Sequence, residues 1–210
     1  MSNDSGDVSK FTGTAGDSQF PFSPGNIGEA GLDSWPENTV DVQDLQGILA
    51  GWQLSVEGLV DAPFQLTFGQ LVAERRTDTL VDFHCVEGWT VEDVPWNGVH
   101  LSVLFDHAGT QNSATHVTFY ARGGIYVDSL PIAVALEPKT LFAYGIAGNT
   151  LPLAHGFPAR VVIPRLFGYK NAKYIERIEL TDHPVTGFWE QAGYSYDAEV
   201  PAARLRDGKY

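Results

Sequence analysis

Val81-Asp82-Phe83-His84-Cys85-Val86-Glu87-Gly88-Trp89 begins as an apolar strand and runs out into a turn that contains a glycine. The turn carries the chain's one cysteine. A thiol at a strand end, rather than in mid-strand, is partly accessible. A lone cysteine is more often a small buried hydrophobe than a reactive group, so residue type alone leaves two readings open, inert core or chemistry. Without a second cysteine an internal disulfide is excluded, and cross-links say nothing about compartment. His84 is balanced in the same way. It either orients the surroundings of the thiol or faces the other side of the strand, because strand neighbours alternate faces.

Outward from this turn the chain reads as short strands interrupted by helices. Trp52, Leu54 and Val56 alternate with Gln53, Ser55 and Glu57, the pattern of a half-buried strand that stops at Gly58. Thr67 with Gln70 three residues later predicts a capping box at the head of a helix running to about Glu74. Leu101, Leu104, Phe105 and Ala108 form the apolar stripe of a second helix, and Pro131 with the run to Leu136 predicts a third. Further strands are expected at Leu80 to Phe83, His116 to Tyr120, Arg160 to Ile163 and Tyr174 to Leu180. No repeat of fixed period is present, and the many Gly and Pro residues fit an α+β domain with mixed β-sheets better than a regular βαβ array.

The length of 210 residues suits one domain rather than two. Residues 1–38 are rich in Gly, Ser, Asp and Pro and predict an extended or partly disordered arm, with Phe11, Phe20, Phe22 and Trp35 lying against the domain or a partner. Residues 39–210 form the domain. A hydrophobic fraction of 43% supplies a core large enough to exclude disorder of the whole.

The formal net charge of -13 opposes binding to nucleic acid or an anionic membrane. The cations are nonetheless concentrated: Arg160, Arg165, Lys170, Lys173 and Arg177 place five of the 13 basic residues within eighteen positions, which points to a bound anion. No apolar run approaches the roughly 20 residues of a membrane-spanning helix. Met1 to Lys10 has neither a cationic start nor a twin arginine, so the expected location is cytoplasmic, or periplasmic if a leader has been removed.

His84, Cys85, Val86, Glu87, Gly88, Trp89 and Thr90, followed by Pro95, Trp96, Asn97, Gly98, Val99 and Leu101, resemble the cysteine loop of the sulfite oxidase and methionine sulfoxide reductase catalytic subunit family. A second block, from Asn149, Leu151 and Pro152 through His155, Gly156, Pro158 and Arg160 to Gly168, Tyr169, Lys170, Lys173 and Tyr174, resembles the family's pterin-binding segment. Weaker likeness at Trp52 to Gly58, Tyr126 to Leu136 and Gly187 to Tyr194 extends it over about two thirds of the chain. The resemblance implies a sulfite-oxidase-type molybdopterin-binding fold, with molybdenum held by one molybdopterin and by Cys85 as thiolate ligand and catalytic residue. It implies pterin and phosphate contacts from Asn38, Ala121, His155, Arg160, Gly168, Tyr169, Lys170 and Lys173. Their chemistry agrees: Arg offers a planar fork for phosphate, Lys a mobile point charge, and Gly168 a close approach of backbone amides to an anion. Ala121 stands where the family often has Ser or Thr, so one hydroxyl contact is absent or made by backbone. His84 stands where Arg or another polar residue is common.

What the resemblance implies in function is an oxidoreductase transferring an oxygen atom to or from a small sulfur substrate, sulfite or a sulfoxide. Electrons would pass through a separate carrier, a cytochrome or membrane haem protein, because no haem domain accompanies the core. Two other classes stay in view: a metal-free cysteine hydrolase using Cys85 with a histidine base, and a noncatalytic interaction module on the same fold. His100, His107, His116 and His183 lack ligand spacing and read as structural or surface residues. Arg122 reads as a solvated loop residue or a lining of the substrate funnel, and Arg75 and Arg76 as exposed charges at a helix end.

Overall fold

The computed structural model describes Leu32, Trp35 and residues 45–210. The arm reading, apart from Leu32 and Trp35, and the assignment of Asn38 lie outside the described residues. Two sheets carry the fold. The first runs β2 (Phe64–Thr67), β1 (Gln53–Gly58), β10 (Ile175–Thr181), β5 (His116–Ala121) and β6 (Val127–Pro131). Its strands are antiparallel except where β1 meets β10, with Val56 opposite Ile178. In the second, β3 (Arg76–His84), β4 (Thr90–His100) and β7 (Leu141–Ile146) lie side by side, and β8 (Asn149–Thr150) and β9 (Arg160–Val162) both pair with β7. The helices are short: α1 (Leu45–Gly51), α2 (Phe68–Ala73), α3 (Leu101–Ala108) and α4 (Ile132–Ala135). This is the α+β arrangement of mixed sheets that the sequence predicts.

The capping box forms as read, with the Thr67 side chain accepting from Gln70 N and the Gln70 side chain from Thr67 N. The apolar stripe of α3 is buried at Leu101, Leu104, Phe105 and Ala108. Strand β3 begins earlier than expected, so Arg76 lies at its head, paired with Asp78, and not at a helix end.

The second sheet is covered on both faces. Phe142 and Tyr144 of β7 point into the main core with Leu54, Phe119 and Ile178, while Leu141, Ala143 and Ile146 point into a second core with Val81, Val94, Trp96 and Phe157. Leu32 and Trp35 are buried in that second core. Such a strand has no polar face, so it lacks the alternation that marks a strand in sequence.

Two constraints tie the sheets to the loops. At Gly98 the β4–β7 register shifts, and a Cβ there would lie 2.3 Å from the Phe142 carbonyl oxygen and 2.7 Å from Ala143 Cα. The other constraint is Lys170, fully buried at the end of a 3-10 turn, Gly168–Lys170. Its ammonium donates to Asp128 Oδ1 at 2.7 Å, to the Ser129 carbonyl at 3.2 Å and to Glu190 Oε1, and it lies 4.2 Å from the Tyr196 ring centroid. One buried cation between two buried carboxylates leaves a net negative charge out of water. Burial, only partly opposed by Lys170, accordingly pushes the Asp128 carboxyl up to about 6.

Gly98→Ala is expected to cost at least about 2 kcal/mol, because the clash is with backbone that cannot rotate away; equilibrium denaturation measures it. The raised Asp128 pKa means that the native state holds a proton the unfolded chain has lost, so its contribution to stability is fully present below the ordinary carboxylate value and fades as pH rises through about 6. Relative to Asp128→Asn, wild-type protein should lose on the order of 3 kcal/mol between pH 4 and pH 6. A difference that grows in favour of wild type over that window would show that Lys170, not a proton, neutralises the cluster.

Candidate functional site

Strands β3 and β4 form a hairpin, and Cys85 opens its turn. Cys85 N donates to the Trp89 carbonyl at 2.9 Å and Gly88 N to the Cys85 carbonyl at 3.1 Å, which closes the loop and leaves the thiol half exposed. Cys85 Sγ lies 3.8 Å from Glu87 Oε2, which also accepts from Trp89 Nε1 at 3.2 Å. Burial, with the negative charge of Glu87, pushes the thiol up from its ordinary value. No base relieves it: the His84 ring, fully buried, bonds through Nδ1 to Thr90 Oγ1 at 2.9 Å, and burial with Arg204 lowers its basicity. A protonated thiol without a hydrogen-bonded imidazole is poorly suited to nucleophilic hydrolysis.

Phe83 and His84 resolve the faces of the strand. Phe83 packs on Trp35 at 4.9 Å, on Trp89 at 5.9 Å and under the Arg160 guanidinium at 5.5 Å. His84 and Asp82 interact instead with Arg204 and Arg206. Cys85 follows in the turn, two residues after Phe83, whose ring lies under the Arg160 guanidinium.

Arg160 heads β9 and is buried. Its Nη1 donates to the His155 carbonyl at 3.0 Å and its Nη2 to the Asn171 carbonyl at 3.0 Å, with Trp96 5.0 Å below the guanidinium. Among the described residues no carboxylate pairs with it, and burial lowers its pKa to about 10. His155 ends a 3-10 turn, Leu153–His155, and is buried with its ring 4.6 Å from Trp35. Burial, then the nearby charges of Arg160 and Lys173, bring it down to about 4, so it is neutral at pH 7. Lys173 Nζ donates to the Ala154 carbonyl at 2.8 Å.

The remaining expected contacts gather around Gly168–Lys170. Tyr126 donates its hydroxyl to the Tyr169 carbonyl, and Tyr169 donates its own to the Ser195 carbonyl at 2.7 Å. Ala121, buried at the end of β5 opposite Ile175, donates its amide to the Tyr126 carbonyl at 2.9 Å.

One expectation needs correction. Lys170 is not a mobile point charge: its ammonium is buried and held by Asp128 and Glu190. Gly168 lies close to Phe83: a Cβ there would sit 2.4 Å from Cζ of that ring, so its smallness seats the ring. Arg122 pairs with Glu176 at 3.5 Å on a loop.

Phe83, Asn171 and Arg204 were not singled out from the sequence. Asn171 Oδ1 accepts from Ile163 N at 2.6 Å while its own carbonyl takes Arg160, and neither bond has a local signature. A cleft of about 620 Å³ is lined by Glu137, Lys139, Arg165 and Tyr210 among others, and by none of the candidate residues. No three His, Cys, Asp or Glu side chains converge among the described residues, so a metal at Cys85 would need most of its ligands from a cofactor. A half-exposed thiol and a buried cation without an acidic partner fit a metal bound to an anionic chelate. No described helix is long and apolar enough to cross a membrane.

Comparison with known proteins agrees with this geometry. Residues 39–189 match the family described as oxidoreductase molybdopterin binding domain. The chain is 38% identical over 143 residues to the uncharacterized oxidoreductase YuiH of Bacillus subtilis, covering 68% of this chain and 72% of that one. It is 36% identical over 169 residues to the protein-methionine-sulfoxide reductase catalytic subunit MsrP of Gluconobacter oxydans, covering 71% of this chain and 54% of that one. The fold is similar to that of the sulfane dehydrogenase SoxCD from Paracoccus pantotrophus, with a TM-score of 0.62 at 22% identity over 71% of this chain and 42% of that one. The chain thus spans about half the length of the sulfoxide reductase subunit. It belongs to the family of oxidoreductases with a molybdopterin-binding domain.

Proposed function

We propose that this chain carries out oxygen-atom transfer at sulfur, with molybdenum held by one molybdopterin and by the Cys85 thiolate, and that its substrate is an uncharged organic sulfoxide rather than sulfite. When bound, that cofactor supplies a two-electron redox centre able to take up or release an oxygen atom. The observation that carries the reading is Arg160, a cation buried among carbonyls with no described acid beside it, whose guanidinium lies 5.5 Å from the ring of Phe83, two residues before Cys85.

Arg160 would hold the anionic tail of the pterin. Its guanidinium has five N–H donors, and the bonds to His155 and Asn171, with a longer one of 3.4 Å to the Val161 carbonyl, leave two for an anion. Lys173 adds positive charge from beside Ala154, and neutral His155, Tyr169 and the backbone at Gly168 and Ala121 complete the cradle. Asn38 joins this set on resemblance alone. The Lys170 ammonium does not, because Asp128 and Glu190 retain it.

Glu87 supports the choice of substrate. A carboxylate 3.8 Å from Cys85 Sγ places a negative charge where a sulfite dianion would have to approach, and Arg204 is occupied by backbone carbonyls. A sulfoxide carries no net charge, and its reduction to a thioether consumes two electrons and two protons and releases water. The relative named as a methionine-sulfoxide reductase subunit points the same way. Electrons would arrive from a separate carrier, a haem protein being the partner class that the resemblance implies.

Protein made in a molybdopterin-competent host should contain about one molybdenum and one pterin per chain, and Cys85→Ser should lose the visible thiolate-to-metal absorption. Wild-type protein free of molybdenum and pterin defeats the assignment. Assayed with a reduced viologen, the loaded enzyme should turn over methionine sulfoxide in preference to oxidising sulfite with ferricyanide. Glu87→Gln should shift that preference toward sulfite roughly tenfold, the effect of removing one like charge at about 4 Å in a partly aqueous site. Sulfite as the better substrate with Glu87 intact would overturn the choice of substrate and leave the cofactor assignment standing.

A further inference from the structure

The segment after Pro201 lies beyond residue 189, where the family match ends, and it returns to the Cys85 turn. A 3-10 turn, Ala202–Arg204, presents the Arg204 guanidinium to both ends of the loop. Nη1 donates to the Cys85 carbonyl at 3.3 Å, and Nη2 donates to the Trp89 carbonyl at 2.9 Å and to Thr90 Oγ1 at 3.1 Å. These are the two carbonyls that also close the loop internally, by accepting from Gly88 N and Cys85 N. Thr90 Oγ1 in turn meets His84 Nδ1, the ring adjoining Cys85 on its other side.

The same segment is latched on either side of the hairpin. Arg206 Nε donates to Asp82 Oδ2 at 2.6 Å, and a second Arg206 nitrogen reaches Asp82 Oδ1, which also accepts from Asp93 N at 2.9 Å. Asp82 N donates to the Lys209 carbonyl at 3.1 Å, and the Lys209 ammonium pairs with Asp93. Arg204 further stacks over Phe167, 5.5 Å from the ring centroid, immediately before the Gly168–Lys170 turn. Residues 202–209 therefore form a strap whose Arg204 bridges the thiol loop and Phe167. A planar fork that spans two carbonyls fixes their separation and direction in a way a single ammonium cannot.

We infer that Arg204 is a positioning residue: by gripping the carbonyls of Cys85 and Trp89 it sets the direction in which the Cys85 thiolate is presented, so the strap beyond the matched domain tunes the metal–sulfur bond. Groups that hydrogen-bond to a ligand residue from behind orient it and adjust the metal it binds. The inference rests on Cys85 being the thiolate ligand, as proposed above.

The test compares Arg204→Met, which keeps bulk and loses every donor, with Arg204→Lys, using protein loaded with molybdenum and pterin. At wild-type metal content, the Met variant should show a displaced thiolate-to-metal absorption band, with the Lys variant between it and wild type. In metal-free protein, the Cys85 and Gly88 amides of the Met variant should exchange hydrogen about tenfold faster, since local opening of the loop is no longer restrained. Should Arg204→Met not fold, Arg204→Gln takes its place with the same expectations. A wild-type band together with wild-type exchange overturns the inference. Faster exchange with an unmoved band at full metal content also overturns it, because Arg204 is then only a structural brace. Wild-type protein without molybdenum defeats the ligand assignment and this inference together, which separates the two failures.

Discussion

The Arg160 guanidinium is the constraint around which the site is built. A charged group taken out of water costs several kcal/mol unless its donors are met and its charge is answered. Here three of the five N–H donors are met by the carbonyls of His155, Asn171 and Val161, while Phe83 and Trp96 lie under the charge. Each acceptor belongs to a different local element. The 3-10 turn at Leu153–His155, the loop at Asn171 and strand β9 must therefore keep their relative positions for the cation to be tolerated. Cation and rings together hold the β3–β4 hairpin, and with it the thiol loop, against the segment that would receive an anion. No described carboxylate answers the charge.

Lys170 shows the opposite solution a few residues away. Its ammonium sits between Asp128 and Glu190, so it ties β6 and the segment around Glu190 to the Gly168–Lys170 turn and has little charge to offer a ligand. Counting cations along the chain cannot separate these two roles. Of the five clustered basic residues, Arg165 pairs with Glu137 and Glu199, and Arg177 with Glu57 and with its near neighbour Glu179; all but Glu179 come from distant parts of the sequence. Only Arg160 and Lys173 turn toward backbone carbonyls around the 3-10 turn. The basic run alone does not distinguish these roles, because most of the partners that neutralise it are tertiary.

The same division governs how much of the fold is legible in the residues. Strand β1, the capped α2, the striped α3, and strands β5, β9 and β10 each carry their own periodicity or cap, and each forms about where that signal lies. Strand β7 is buried on both faces and so presents Leu-Phe-Ala-Tyr-Gly-Ile without alternation. Strand β4 contains Pro95 and Gly98, residues that ordinarily argue against a central strand, and its register is interrupted at the glycine. The Cys85 turn was readable because its residues are contiguous. The Arg204 strap was not, since its bonds to the turn span well over a hundred residues.

The chemistry of the thiol brings these features together. Burial and Glu87 hold Cys85 protonated at neutral pH, and His84 is turned to Thr90 instead of serving as its base. Such a sulfur is a weak nucleophile and slow to oxidise, which protects a solitary half-exposed cysteine. Under the proposed ligation it would yield its proton to the metal, because coordination lowers a thiol's pKa far more than the local environment raises it. An environment that disfavours the bare thiolate while gripping its backbone from both sides therefore favours one outcome over others: a sulfur inert until a strong Lewis acid arrives, and already aimed when it does.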